Sequence, residues 1–344
     1  MFVVGIYLNI GSNKEDGPLI QDSSVRTKNW DSALESSKQS NNQNQDGQAV
    51  TITEGLGTLI GKKTNELIKL YGKPSRMDPS SYGYTWWVYN QKDDYYFQAA
   101  VQNGKIVSVY GLGEKLNLYP FSIGQSVEEI YKKNFLETAV DIEWNGSSYR
   151  FELSEDDLHM RPLVKLGNVF AQIYLDKYTG KISSIRFSNE ETLVKHRPYE
   201  LTYRGKLAED VMLTENEWAA VQAGDEKQIF DITNVLRKRY ELEPLLWDEK
   251  LAEVAFSHSN EMFEENYFSH TSPNEGELAD RLKKADVQYE MAGENIAAHY
   301  VDGIAAVAGW LNSVGHREAM LNHDFTHLGV GVYNKYYTQN FIRQ

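Results

Sequence analysis

Cysteine is absent from all 344 residues, which excludes disulfide bridges and thiolate metal centres. The absence does not locate the chain, because bacterial exported proteins often avoid cysteine and cytosolic proteins have no use for disulfides. Blocks of Lys or Arg are missing as well, and the formal net charge is −14. A nucleic-acid backbone or an anionic membrane surface would therefore be repelled, and neither is expected as a partner. The apolar opening run, MFVVGIYLNI, is only ten residues long with no basic segment before it. That is too short to span a bilayer, and it reads either as the tail of a signal or membrane-anchor sequence or as a short apolar strand or helix.

A chain of this length suits two domains rather than one core. Residues 1–50 hold the apolar segment and a polar linker; 35–48, ESSKQSNNQNQDGQ, contain no large apolar side chain to offset the entropy of ordering. Residues 51–204 read as one α+β domain made of two diverged repeats. IGKKTNELIKLYG at 60–72 and IGQSVEEIYKKNF at 123–135 both open on Ile-Gly and continue with helical spacing, through Leu67 and Leu70 in one copy and Val127 and Ile130 in the other. Strand patterns follow each. The first copy gives YGYTWWVYN, YYFQAAVQ and KIVSVYGLG with a turn at Asn103-Gly104; the second gives SSYRFEL, VFAQIYLD and KISSIRFS with a turn at Thr179-Gly180. Each unit is a helix plus an antiparallel meander, and two of them can join sheets under a layer of helices. The aromatic cluster Tyr84, Trp86, Trp87, Tyr95, Tyr96 and Phe97 is either a binding face or strand core, and core is the commoner use.

Residues 205–226 read as a connector with one helical turn near Glu215 to Val221, and 227–344 as a second domain. Ile232, Val235, Leu236 and Tyr240 mark a helix stopped before Pro244. Leu251, Val254, Ala255 and Met262 mark a longer one capped by Asp248, with His258 on its apolar stripe as a satisfied core residue. Asp302 caps a third, through Ile304, Val307, Ala308 and Leu311. The end, HLGVGVYNKYYTQNF, is a strand pair turning at Asn334-Lys335, and His323 and His327 fall in the turn before it.

Three islands in this region carry the chemistry: YFSHTSP, AGENIA and WLNSVGHRE. They bring forward His270, in a loop after the second helix, Glu294, in a Gly-Glu-Asn turn, and His316, at the end of the third helix. Two imidazoles and a carboxylate can hold a divalent metal or move a proton near neutral pH. Their separations of 24 and 22 residues match no compact metal motif.

FDITNVLRKRY, PLLWDEKLAEVAFSHSNEM, FSHTSP, RLKKADVQY, AGENIA, WLNSVGHRE and LGVGV with YYTQNF, in that order, resemble the CAP superfamily of cysteine-rich secretory, antigen 5 and pathogenesis-related 1 proteins. LYGKPSRMDPSSYGYTWWVYN is similar to the CAP-associated N-terminal domain of Gram-positive bacterial members. The resemblance implies an α-β-α sandwich with a cleft lined by two histidines and two acids. His270, Glu294 and His316 take three of those places, with Asn295 beside them; the fourth, where a second glutamate is expected, is Ser313. A serine cannot add the negative charge that would favour protonated histidines or a bound cation.

Three functions remain open. The first is an extracellular or outer-membrane-face protein whose cleft binds a small molecule, lipid, peptide or wall fragment, with Zn²⁺ at His270 and His316 as the metal candidate. The second is a zinc hydrolase using His270, His316 and Glu294; if Glu294 is spent as the third ligand no base remains, which favours binding over catalysis. A Ser313-His316 nucleophile pair lacks a third, orienting acid. The third is a structural protein of the cell envelope, with residues 51–204 meeting a protein or wall partner.

Overall fold

The computed structural model describes residues 5–6, 19–20, 51–132 and 137–344. The polar linker at 35–48 and most of the apolar opening run lie outside them. Two short N-terminal strands, β1 (Gly5–Ile6) and β2 (Leu19–Ile20), pair in parallel with a strand of the C-terminal unit. The chain forms two compact units that divide at Met212 and Leu213.

The N-terminal unit shows the duplication in its backbone. Helix α1 (Thr64–Tyr71) is followed by β3 (Arg76–Pro79), β4 (Thr85–Tyr89), β5 (Phe97–Gln102) and β6 (Lys105–Gly111). Helix α2 (Val127–Lys132) opens the second copy. Gly61 and Gly124, at φ of 82° and 79°, make the same turn into the two helices. Each glycine N–H then bonds the last strand of the main sheet in its own copy, Gly61 to the carbonyl of Ile106 on β6 at 2.7 Å and Gly124 to that of Ile182, on the strand Lys181–Ser188, at 2.9 Å. Only glycine adopts this conformation without strain, which is why Ile-Gly opens both copies.

One strand of the second copy differs from expectation. SSYRFEL forms β8 (Ser147–Glu152), which lies between β7 (Ala139–Trp144) and a later strand in a separate three-stranded sheet. After α3 (Glu155–Met160), the place expected for β8 is taken by β9 (Leu163–Leu166), next to β10 (Val169–Asp176) and β11 (Lys181–Ser188). The main sheet runs β3-β4-β5-β6-β11-β10-β9, the two copies meeting at β6 and β11. β8 alternates buried and half-exposed residues, as a one-sided sheet requires, whereas β10 and β11 are buried on both faces. Helix α4 (Glu190–His196) and β12 (Glu200–Arg204), which completes the small sheet, close the unit. Trp86, Tyr84, Tyr96 and Phe97 are buried, so these aromatics are core; Tyr95 is half-exposed. Leu67 is buried as expected, but Leu70 is 62% exposed.

The 205–226 connector is a linker only to Leu213. Thr214 accepts from the Glu217 N–H and Glu217 accepts from the Thr214 N–H, a capping box that starts one 25-residue helix, α5 (Glu215–Arg239). The small residues Ala219, Ala220, Ala223 and Gly224 in its first half lack the large apolar spacing that marks the second half, so the sequence signal began seventeen residues late, at Ile232. Next come β13 (Leu246–Trp247), α6 (Glu249–Glu264), α7 (Leu278–Lys284), β14 (Met291–Ala298), α8 (Gly303–Leu311), α9 (Val314–Met320), β15 (His327–Tyr333) and β16 (Tyr336–Arg343). Asp248 and Asp302 cap α6 and α8 through the Leu251 and Ala305 N–H groups, as expected.

The sheet order β1-β14-β16-β15-β13 places β14 and β16 side by side, with Glu294 opposite Asn340 and Asn295 opposite Gln339. Alternation sends Ala292, Glu294, Ile296 and Ile342 toward α6 and α7, and Asn295 and Gln339 toward α5. The sheet is thus held between two helical layers. On β15, Gly329 and Gly331 let the α6 backbone lie directly against the strand; a Cβ on Gly331 would stand 1.9 Å from the Phe256 nitrogen.

Candidate functional site

Glu294 sits in the middle of β14 and not in a turn, because the small residues around it fit a strand buried on both faces. Its side chain is 1% exposed. Burial alone would raise its pKa, yet the Arg281 guanidinium, with help from His258 and His270, holds the carboxyl far below the usual range. Arg281 Nη2 lies 2.9 Å from Oε2 and donates to Oε1 at 3.1 Å; it also donates to the His270 carbonyl at 3.0 Å. Arg281 carried no site signal in the sequence. It lies within the RLKKADVQY island at an ordinary buried helix position, and only the fold brings it to Glu294.

His270 Nδ1 bonds Glu294 Oε1 at 2.9 Å. An ionised carboxylate only accepts, so Nδ1 carries a proton and Nε2 makes no hydrogen bond among the described residues. The ring is the open part of the site, 31% exposed by side chain. Its loop is pinned by Glu261, which accepts from Ser272 Oγ (2.8 Å), Asn274 Nδ2 (2.8 Å) and Tyr267 OH (2.9 Å). His258, fully buried, donates from Nε2 to the Ser269 carbonyl at 3.0 Å, the satisfied core role expected of it. Burial pushes its pKa down to about 4 against the pull of Glu294.

His316 is not at the end of α8. Asn312 ends that helix and Ser313 starts a new one, α9, in whose first turn His316 lies. Ser313, at the N-cap position, makes no side-chain cap bond; its hydroxyl meets His316 Nδ1 at 2.7 Å. His316 is 4% exposed, and burial, with His270 adding, lowers its pKa to about 4, so it is neutral at physiological pH. Asn295, expected to line the cleft, is instead a brace: it is 1% exposed and donates to the His316 carbonyl at 3.0 Å and to Gln339 Oε1 at 3.2 Å. Arg237 steadies the far end of α9 through the carbonyls of Met320 and Asn322.

The two site rings face each other with centroids 6.4 Å apart and planes 28° from parallel. The sequence therefore identified three residues that do converge. They do not form a three-ligand metal centre: Glu294 Oε1 accepts from both His270 and Arg281, and Oε2, which has no hydrogen bond, is buried beside the Arg281 cation at 2.9 Å. Among the described residues no group of three or more His, Asp or Glu side chains is placed to hold a metal ion. The donors left for a cation are two imidazole nitrogens, short of the three protein ligands of a catalytic zinc site. Glu294 is equally unfit as a base, since its side chain is 1% exposed and is held beside the Arg281 cation. No carboxylate bonds His316 among the described residues, so the Ser313-His316 pair has no orienting acid.

Comparison with known proteins agrees with this architecture. Residues 60–199 match the CAP-associated N-terminal family, and residues 230–342 match the cysteine-rich secretory protein family. The chain is 50% identical over 306 residues to the Bacillus subtilis membrane protein YlbC, covering 89% of this chain and 88% of that one. An extracellular SCP-domain protein from Bacillus anthracis superposes with a TM-score of 0.81 at 43% identity, over 88% of this chain and 99% of its own. A cysteine-rich secretory protein from Staphylococcus aureus does so at 0.77 and 29%, over 86% and 97%. With near full-length likeness and both halves matched, the chain belongs to the CAP superfamily, in the bacterial form that joins a CAP-associated N-terminal domain to an SCP domain.

Proposed function

We propose that this protein works outside the cytoplasmic membrane, free or held at the cell surface of a Gram-positive bacterium, and that its SCP domain binds a ligand between His270 and His316 without breaking a bond in it. The observation that carries this reading is the commitment of Glu294. Its carboxylate is buried, ionised and claimed by Arg281 and His270, so it orients His270 and cannot activate water. The two Nε2 atoms make no hydrogen bond among the described residues and are left for a ligand. The extracellular Bacillus anthracis relative and the membrane naming of YlbC support the location. No helix of the described residues is long and apolar enough to cross a membrane.

The test incubates the full chain with a muropeptide digest, a tryptic peptide mixture and phospholipid, then reads retained species by native mass spectrometry and products by liquid chromatography. A retained species of unchanged mass, lost in His270→Ala/His316→Ala, is the expected result. Product formation that depends on either histidine or on Glu294 would overturn the binding reading.

A further inference from the structure

Ser313 stands out as a helix N-cap serine that does not cap. Its hydroxyl has one partner, His316 Nδ1 at 2.7 Å, and the residue is 8% exposed. If Nδ1 carried the proton and donated to Ser313, the serine hydrogen would be left buried without an acceptor. If the serine donates, that hydrogen is used and only oxygen lone pairs go unfilled, which is the cheaper arrangement. His316 then holds its proton on Nε2. Opposite it, His270 is fixed the other way by Glu294, which holds the proton on Nδ1, so that in the neutral ring Nε2 is the acceptor.

We propose that Ser313 sets the tautomer of His316, so that the facing imidazoles present one donor and one acceptor and clamp a neutral secondary amide, with His316 Nε2–H to its carbonyl and its N–H to His270 Nε2. The two rings stack with centroids 6.4 Å apart and planes 28° from parallel, a separation comparable to the span between the donor and acceptor partners of one amide. His316, more than nine-tenths buried, has no intramolecular partner for Nε2 among the described residues, so a ligand that supplies a carbonyl satisfies a donor the fold leaves open. Secondary amides occur in peptide bonds and in N-acetylated sugars. This inference rests on the ligand-binding reading and names its chemical class; Ser313 acts as a positioning residue through His316.

The experiment uses the full chain with ¹⁵N-labelled histidine, wild type and the variants Ser313→Ala, Ser313→Thr and Ser313→Glu, with His316 assigned by substitution and folding checked by circular dichroism. Long-range ¹H–¹⁵N spectra at pH 7 should show His316 protonated on Nε2 in wild type and Ser313→Thr. The preference should weaken in Ser313→Ala and invert in Ser313→Glu, whose carboxylate only accepts. N-acetyl-alanine methylamide and di-N-acetylchitobiose are then titrated separately; one of them should shift the His316 Nε2 signal, with at least tenfold weaker binding in Ser313→Glu. A wild-type His316 protonated on Nδ1 overturns the tautomer assignment and, needing no ligand, leaves the binding reading standing. The expected tautomer with no response to either amide at millimolar concentration overturns the amide class, and equal binding by wild type and Ser313→Glu overturns the role of Ser313.

Discussion

Arg281→Met leaves the Glu294 carboxylate buried without its cation. At 2.9 Å and an effective dielectric near 20, the lost attraction is about 6 kcal/mol. Releasing the guanidinium from its own buried, costly position returns part of that, and removal of one partner of a buried pair generally costs about 3–5 kcal/mol. The same substitution frees the His270 carbonyl, which Arg281 also holds. We expect urea unfolding at pH 7, followed by circular dichroism and tryptophan fluorescence, to show a loss in that range, equivalent to roughly 10–20 °C in the melting temperature of a unit this size. The deficit should shrink toward pH 5, because a Glu294 stripped of Arg281 takes up a proton under the pressure of burial and ceases to be an unpaired charge. The double variant Arg281→Met/Glu294→Leu should recover to within about 2 kcal/mol of wild type, since an apolar pair of similar size replaces both charges. A single variant within about 1 kcal/mol of wild type, or a double variant less stable than either single, would refute the claim that this pair is the electrostatic frame of the site.

Stability should also depend on pH from both sides. His258 and His316, lowered to about 4, stay neutral when the unfolded chain protonates them, so stability declines as pH falls from about 6.5 toward 4; Glu294 adds to the loss below about 4.5, where only the unfolded carboxyl takes a proton. Glu226 works in the opposite direction: burial raises it to about 7 even though it accepts from the Val332 N–H at 3.1 Å. The folded form holds that proton more tightly, so stability drops between about pH 4.5 and 7, and Glu226→Gln should raise the unfolding free energy at pH 8 by an amount on the order of 2 kcal/mol, read as a higher urea midpoint, while changing little at pH 4. An unchanged midpoint at pH 8 would contradict this. Asn295→Ala should cost about 1–3 kcal/mol by freeing the His316 carbonyl in a buried place, and should broaden the His316 imidazole signal; an unaltered spectrum would argue against the brace. Gly331→Ala, with its Cβ 1.9 Å from the Phe256 nitrogen, should force α6 off the sheet and destabilise by about 3 kcal/mol or more; a loss under 1 kcal/mol would refute that close contact.

Much of the C-terminal unit was legible because its signals are local. Asp248 and Asp302 declare helix starts, and Asn334-Lys335 adopts the two positive φ values that its hairpin needs. The duplication was legible in Ile-Gly, since a positive-φ turn tolerates little else. The misses share one cause, that their signal is tertiary. Glu294 reads as a turn beside Gly293 and Asn295, and only pairing with β16 on one side makes it strand. Arg281 looks like any helical arginine until the sheet places a carboxylate beside it. β9 is four residues long, and the first half of α5 carries small and polar residues, with Ala219 and Ala220 left exposed, so it shows no apolar stripe of its own.

The alternation of Glu294 and Asn295 along β14 has a consequence for folding fidelity. One residue's carboxylate secures His270 from the α6 layer, and the next residue's amide secures His316 from the opposite layer. A slip of one position would turn each to the other face, putting either the Asn295 amide or Gly293 where the carboxylate meets Arg281, and either Ile296 or Glu294 where the amide meets the His316 carbonyl. Both halves of the site would fail together, and a guanidinium would be buried unpaired. The mispaired chain thus carries its own penalty, so a molecule able to hold a ligand between the histidines has already passed a check on its strand register.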